Sequence, residues 1–252
     1  MAATSIAMPE ENSAKGRLIV ALDVATSDEA RSIVDELRSE AGAFKVGLQL
    51  FTAAGPAFVR ELTSAGHKIF LDLKFHDIPN TVAKASVEAA RLGVWMFNLH
   101  ALGGGEMMRR AADDVAAFCE TQGIRRPKMI AVTLLTSSDE STLEEIGISS
   151  DPESLVVRLA GLASFSGLDG VVASAKEAGQ IKGLLREDSL IVSPGIRPVG
   201  ATNDDQRRVI TAGAALSMGS THLVVGRPIL EAPDRVAATR SIVSEIRSSM
   251  DK

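Results

Sequence analysis

The sequence predicts a single (β/α)8 TIM barrel, and three observations carry the prediction. Eight short β-branched runs alternate with eight amphipathic segments, the pattern of βαβ units in a parallel sheet. The units occupy about 230 of the 252 residues, the usual size of such a barrel. No proline- or serine-rich linker divides the middle of the chain, so one domain is expected. A doubly wound open sheet is the main competitor. It usually has fewer strands and a glycine-rich turn after the first, whereas here the first strand ends in Leu22-Asp23-Val24-Ala25-Thr26.

Taken in order, residues 1–15 are small and polar and read as a flexible tail ahead of a barrel domain over 16–252. Strands are expected at Leu18–Leu22, Phe44–Gly47, Lys68–Leu73, Val94–Leu99, Lys128–Leu134, Gly170–Ala173, Leu190–Val192 and Leu223–Val225. Helical periodicity falls between them, over Asp28–Arg38, Gly55–Ser64, Thr81–Arg91 and Glu106–Glu120 in the first half. In the second half it covers Pro152–Ser164, Ala175–Arg186, Asp204–Thr211 and Ala232–Ile246. Ser137–Ser150 is an insertion after the fifth strand, with a short helix expected around Leu143–Ile146.

Composition excludes several function classes. A net charge of −5 with no dense Lys/Arg run argues against a nucleic-acid surface. There is no tyrosine to serve as acid, base or stacking platform. The lone cysteine, Cys119, lies in a helical pattern and reads as a small core residue that cannot build a thiolate metal site. His67, His76, His100 and His222 show no HxH or HxxxH spacing, so no metal is expected. The N-terminus lacks the basic start and apolar stretch of a signal peptide, and no apolar run reaches the roughly 18 residues of a membrane span. A soluble cytoplasmic protein is expected, with no membrane partner.

In such barrels chemistry gathers at the C-terminal ends of the strands. The expected strand ends present Asp23, Lys45, Asp72 with Lys74, Asn98 with His100, Thr136, Ser174, Arg197 and Gly226-Arg227. Asp72 and Lys74 are two apart, so on a strand both face the axis while Leu71 and Leu73 face the helices. A structural Asp–Lys ion pair would account for these two alone. With Lys45, Asp77 and Asp23 arriving at the same mouth, a balanced catalytic network is the stronger reading. Ser193-Pro194-Gly195-Ile196-Arg197-Pro198 and Val225-Gly226-Arg227-Pro228-Ile229 follow strands seven and eight, the loops with which barrels frequently hold phosphate. Between them, polar Val199–Arg208 reads as a lid or a plain surface loop. Gly103-Gly104-Gly105 lacks a P-loop lysine and reads as a helix start. Thr133–Ser137 offers hydroxyls for a base or sugar, or a helix cap.

Asp72-Leu73-Lys74-Phe75-His76-Asp77-Ile78-Pro79-Asn80-Thr81 resembles the signature of the orotidine 5′-phosphate decarboxylase family. Ala21-Leu22-Asp23, Phe44–Gly47, Val132–Ser137, Asp169–Ser174, Pro194–Pro198 and Val225–Ile229 stand in that family's order along nearly the whole chain. The resemblance implies decarboxylation of orotidine 5′-monophosphate (OMP) to UMP, the last step of pyrimidine nucleotide synthesis, with no metal and no organic cofactor. Carried over by position, Lys45, Asp72, Lys74 and Asp77 form the charge network, with Lys74 protonating C6 and Asp72 against the substrate carboxylate. Asp23 and Lys45 hold the ribose, Thr136 lies near the pyrimidine, and Gln206, Gly226, Arg227 and Arg197 meet the phosphate. Asp77 and Thr81 reach across a homodimer into the neighbouring site. Two rivals are weighed. Sugar-phosphate decarboxylases and hexulose-phosphate synthases resemble this family but use magnesium, with an acid where this chain has Lys45. A non-catalytic nucleotide-binding barrel should have lost at least one of the four charges, and none is missing.

Overall fold

A computed structural model describes residues 13–197 and 210–251. Among these, eight parallel strands pair in chain order and close on themselves. They are β1 (Leu18–Ala21), β2 (Ala43–Gly47), β3 (Ile69–Phe75), β4 (Met96–His100), β5 (Lys128–Val132), β6 (Gly170–Val172), β7 (Leu190–Ser193) and β8 (His222–Val225). Helices α1 (Ser27–Leu37), α2 (Leu48–Ser64), α3 (Pro79–Arg91) and α4 (Gly104–Gln122) follow the first four strands. After β5 come α5 (Glu140–Glu145) and α6 (Pro152–Phe165), and α7 (Ala175–Lys182) follows β6. Helix α8 (Ala212–Ser217) follows β7, and α9 (Arg227–Leu230) with α10 (Arg235–Met250) completes the ring. The (β/α)8 expectation holds, and each expected strand overlaps an observed one.

Caps set the helix boundaries. The Thr26 side chain accepts from Glu29 N–H, Asp151 from Ser154 and Asp234 from Ala237, so α1, α6 and α10 begin one residue after these side chains. Ser174 and Glu177 form a capping box at α7. The same chemistry corrects several expectations. Asp139 caps α5 and starts it at Glu140, three residues before the expected Leu143, which still buries its side chain. Most of the helix expected over Asp204–Thr211 lies outside the described residues. Its end is not helical, because Ile210 bridges Ile196 and Thr211 caps α8. Asp234 likewise starts α10 later than the expected Ala232. Helix α2 begins earlier than expected, with Gly55 at φ 70° dividing it into two helical pieces. Of the expected tail, residues 1–12 lie outside the described chain. Ala14 is buried, and Lys15 donates to the carbonyl of Ser39. No helix among the described residues is long and apolar enough to cross a membrane.

Two apolar clusters hold the fold. The larger lies between strands and helices; Leu22, Phe44, Leu71 and Phe97 belong to it, and so does buried Cys119, as expected. The smaller fills the barrel with Ile19, Ala43, Phe70, Met96, Ile130 and Val224. Period-two alternation then fixes what lies above this plug. Two residues on from Ala43, Phe70 and Met96 stand Lys45, Asp72 and Asn98, so the apolar interior gives way to polar side chains at the C-terminal ends of β2, β3 and β4.

Candidate active site

The polar layer surrounds a cavity of about 340 Å³ lined by Asp23, Lys45, Asp72, Lys74, Thr136, Arg197, Gly226 and Arg227, with apolar floor residues that include Phe70 and Val224. Asp72 is its centre. Lys74 Nζ lies 2.7 Å from Asp72 Oδ1, and Lys45 Nζ lies 3.2 Å from Oδ2. Asn98 Nδ2 donates to Oδ1 at 2.7 Å. Lys45 Nζ also meets Asp23 Oδ1 at 3.0 Å, so the four charges form one alternating chain. Burial alone would raise the Asp72 carboxyl. The charges of Lys45 and Lys74, with the hydrogen bonds from Lys74 and Asn98, outweigh it and hold the group below its usual range. Opposite charges 3 Å apart at an effective dielectric of 20 attract by about 5 kcal/mol, enough to offset a desolvation cost of several kcal/mol.

Simple strand alternation does not produce this arrangement. The β3–β4 register shifts between Leu71 and Phe75, and Lys74 has a left-handed backbone, φ 53°. A non-glycine residue there carries strain on the order of 1–3 kcal/mol and persists only where its surroundings hold it. Asn98 does the holding. Its Oδ1 accepts the Lys74 backbone N–H at 2.8 Å while its Nδ2 grips Asp72, and the residue is fully buried. Sequence reasoning placed Asn98 at a strand end but gave it no role. Behind Lys74, His100 stacks on His76 with centroids 5.4 Å apart. Burial, then the charges of His76 and Lys74, pushes the His100 imidazole down to about 4, so it is neutral at pH 7.

The second wall comes from the loops after β7 and β8. Arg197 N–H donates to Ile210 O at 3.1 Å, fastening together the two ends of the segment 198–209. Gly226 lies against the charged network: a Cβ built there would meet Asp23 Oδ2 at 3.4 Å. Gln206 and the Val199–Arg208 loop lie outside the described residues. Asp77 and Thr81 do not line this chain's cavity. Both are exposed, and Asp77 Oδ1 accepts from Ile78 N–H at 2.6 Å. Thus the structure joins Lys45, Asp72 and Lys74 with Asp23 and leaves Asp77 outside the network of the single chain. Gly103-Gly104-Gly105 leads into α4, as expected.

A family model described as orotidine 5′-phosphate decarboxylase / HUMPS family matches residues 16–242. The chain belongs to this family. It is 50% identical over 239 residues to an orotidine 5′-phosphate decarboxylase of Syntrophotalea carbinolica, covering 95% of this chain and 98% of that protein. It is 52% identical over 233 residues to one of Geobacter sulfurreducens, covering 92% and 97%. The crystal structure of orotidine 5′-phosphate decarboxylase from Lactobacillus acidophilus superposes with a TM-score of 0.80 at 39% identity, over 91% of this chain and 98% of that one. Lys45 stands where the magnesium-using relatives are expected to carry an acid. Its ammonium stands between the carboxylates of Asp23 and Asp72, so a divalent ion would have to displace a lysine to use them. Among the described residues, no three His, Cys, Asp or Glu side chains converge as a metal-binding group.

Proposed function

We propose that the protein converts OMP to UMP and CO2 as the last step of de novo pyrimidine nucleotide synthesis. The arrangement that supports this most directly is Asp72 on the cavity wall, held charged with an ammonium on each carboxylate oxygen. Breaking the C6–CO2⁻ bond leaves an electron pair on C6 with no adjacent π-system to enter, so fixed charge must stabilise it. Lys74 supplies that charge and delivers its proton to C6, giving UMP; the neutral amine then regains a proton from solvent. A substrate carboxylate about 4 Å from Asp72 would be repelled by about 4 kcal/mol at an effective dielectric of 20, and the repulsion ends when neutral CO2 leaves. Lys45 and Asp23 take ribose hydroxyls and Thr136 the pyrimidine edge, a reading supported by all three lining the cavity that Asp72 and Lys74 line. Arg197 and Arg227, beside Gly226, hold the phosphate, and binding energy gained there can be used at C6. Gln206, the further phosphate residue the resemblance implies, lies outside the described residues.

Every step in this scheme is performed by lysine and aspartate, with no cofactor. The active form is a homodimer in which Asp77 and Thr81 enter the partner's cavity. Their exposure outside their own chain's cavity supports this, as does neighbouring Ile78, an apolar side chain left 65% exposed. Conversion is followed by the loss of substrate absorbance on adding OMP. Lys74→Ala should abolish turnover while UMP still binds, and near-normal kcat in that variant would overturn the roles assigned here.

A further inference from the structure

The barrel interior is polar at its lower end too. Four residues stand two positions before members of the interior plug: Arg17 before Ile19, Lys68 before Phe70, Lys128 before Ile130 and His222 before Val224. The ladder reaches this level, since the carbonyls of Arg17 and Lys68 accept from Leu223 and Phe44 N–H. Period two therefore turns all four side chains towards the axis at the N-terminal mouth. Trp95 packs against the plug from the same end, 5.7 Å from the His222 ring, with Lys68 Nζ 5.7 Å from its own centroid.

This layer has donors and positive charge in excess. Arg17 Nε, Trp95 Nε1 and His222 Nε2 are buried without a hydrogen-bond partner. The Thr221 hydroxyl donates to Ile191 O, so the neutral His222 ring carries its proton on Nδ1 and its Nε2 is an acceptor. Arg17 Nε and Trp95 Nε1 are the unmet donors, at about 1–3 kcal/mol each, and two at one place ask for an acceptor. Among the described residues, Arg17 and Lys68 enter no ion pair, and Lys128 reaches only Asp169 at 4.0 Å. The His222 imidazole is pushed down to about 4 by burial and then by Arg17, Lys68 and Lys128. Outward from Lys68 and Trp95 runs a groove of about 430 Å³ lined also by His67, Arg91, Arg125 and Arg126. Arg126 is paired with Asp169 at 2.6 Å and Arg91 with Glu88 at 3.2 Å, and neither carboxylate enters the lining.

We infer that the N-terminal mouth of the barrel is a second anion site, taking a polyphosphate chain at the opposite end of the strands from the reaction. A single oxyanion would engage the axial layer of Arg17, Lys68 and Lys128, while the basic groove continues the path for further phosphates. Trp95 is the chain's sole tryptophan, so its fluorescence reports this end alone. Sodium tripolyphosphate titrated into the full chain in phosphate-free buffer should give a saturable change in emission, unlike sodium chloride at equal ionic strength. The affinity should be unchanged in Arg227→Gln, at the other mouth, and at least tenfold weaker in Lys68→Gln by calorimetry. Lys128→Gln should weaken it as well and serves if Lys68→Gln does not fold. UTP binding as tightly as tripolyphosphate assigns the site to nucleotides, and binding of tripolyphosphate alone assigns it to inorganic chains. The inference is overturned if no saturable change occurs, if chloride matches it, if both lysine variants bind like wild type, or if Arg227→Gln abolishes binding.

Discussion

Replacing Asn98 with alanine removes one amide that makes two bonds. Its Nδ2 donates to the Asp72 carboxylate, and its Oδ1 takes the N–H of left-handed Lys74. A hydrogen bond to a charged group contributes about 1.5–3 kcal/mol, and stranding the half-buried Lys74 N–H costs about 1–3 kcal/mol more. Relaxation of Lys74 out of the left-handed region returns about 1–2 kcal/mol. The expected net loss is about 2–4 kcal/mol, or a Tm lower by about 4–8 °C in a chain of 252 residues. Relaxation also moves Lys74 Nζ relative to Asp72, and a displacement near 1 Å at reacting groups can cost roughly 100-fold in rate. Steady-state decarboxylation should therefore show kcat falling about 100-fold with KM little changed, because the phosphate loops are untouched. Asn98→Asp keeps the acceptor for Lys74 but sets a carboxylate against Asp72, and it should lose rate while retaining more of the Tm. An Asn98→Ala variant with kcat within twofold of wild type would refute the claim that this amide positions the lysine.

The His222 imidazole ionises near 4 when folded and near 6.5 when unfolded, so the unfolded chain binds the extra proton between these values. Its contribution is complete above pH 6.5 and is lost as pH falls towards 4. Urea unfolding in phosphate-free buffer should show wild type losing about 3 kcal/mol more than His222→Leu across that window. Gly170→Ala places a Cβ against the backbone of Leu190 on β7, so purified variant should show Tm lowered by several degrees or misfold, as read by circular dichroism. The Cys119 thiol is buried and pushed up by desolvation, so a thiol reagent should react with the native protein only as fast as it unfolds.

Much of the fold was legible because period two and period 3.6 were written cleanly. Leu71 and Leu73 face the helices, and Lys45 and Asp72 face the axis, as their alternation requires. Charges at consecutive strand ends likewise pointed to one mouth. Local geometry was not legible. Nothing in Asp72-Leu73-Lys74 announces a bulge, because the left-handed turn at Lys74 is imposed by Asn98 from a neighbouring strand 24 residues away. Helix ends shifted where a single side chain decided them, as with Asp139 and Asp234. The charged lower layer was missed for a different reason. Arg17, Lys68 and Lys128 sit at strand starts, where a basic residue reads as an ordinary boundary until closure of the barrel turns them towards one axis.

The central claim is that a lysine beside a charged aspartate, and no metal, carries the decarboxylation. The most direct measurement is OMP turnover by the purified protein in excess EDTA, with UMP and CO2 quantified, beside Lys74→Ala under the same conditions. The account predicts one UMP and one CO2 per OMP consumed, a rate unaffected by the chelator, and no turnover by Lys74→Ala although UMP still binds. Failure of the wild-type protein to consume OMP, or loss of its activity to EDTA with recovery on adding magnesium, would contradict it.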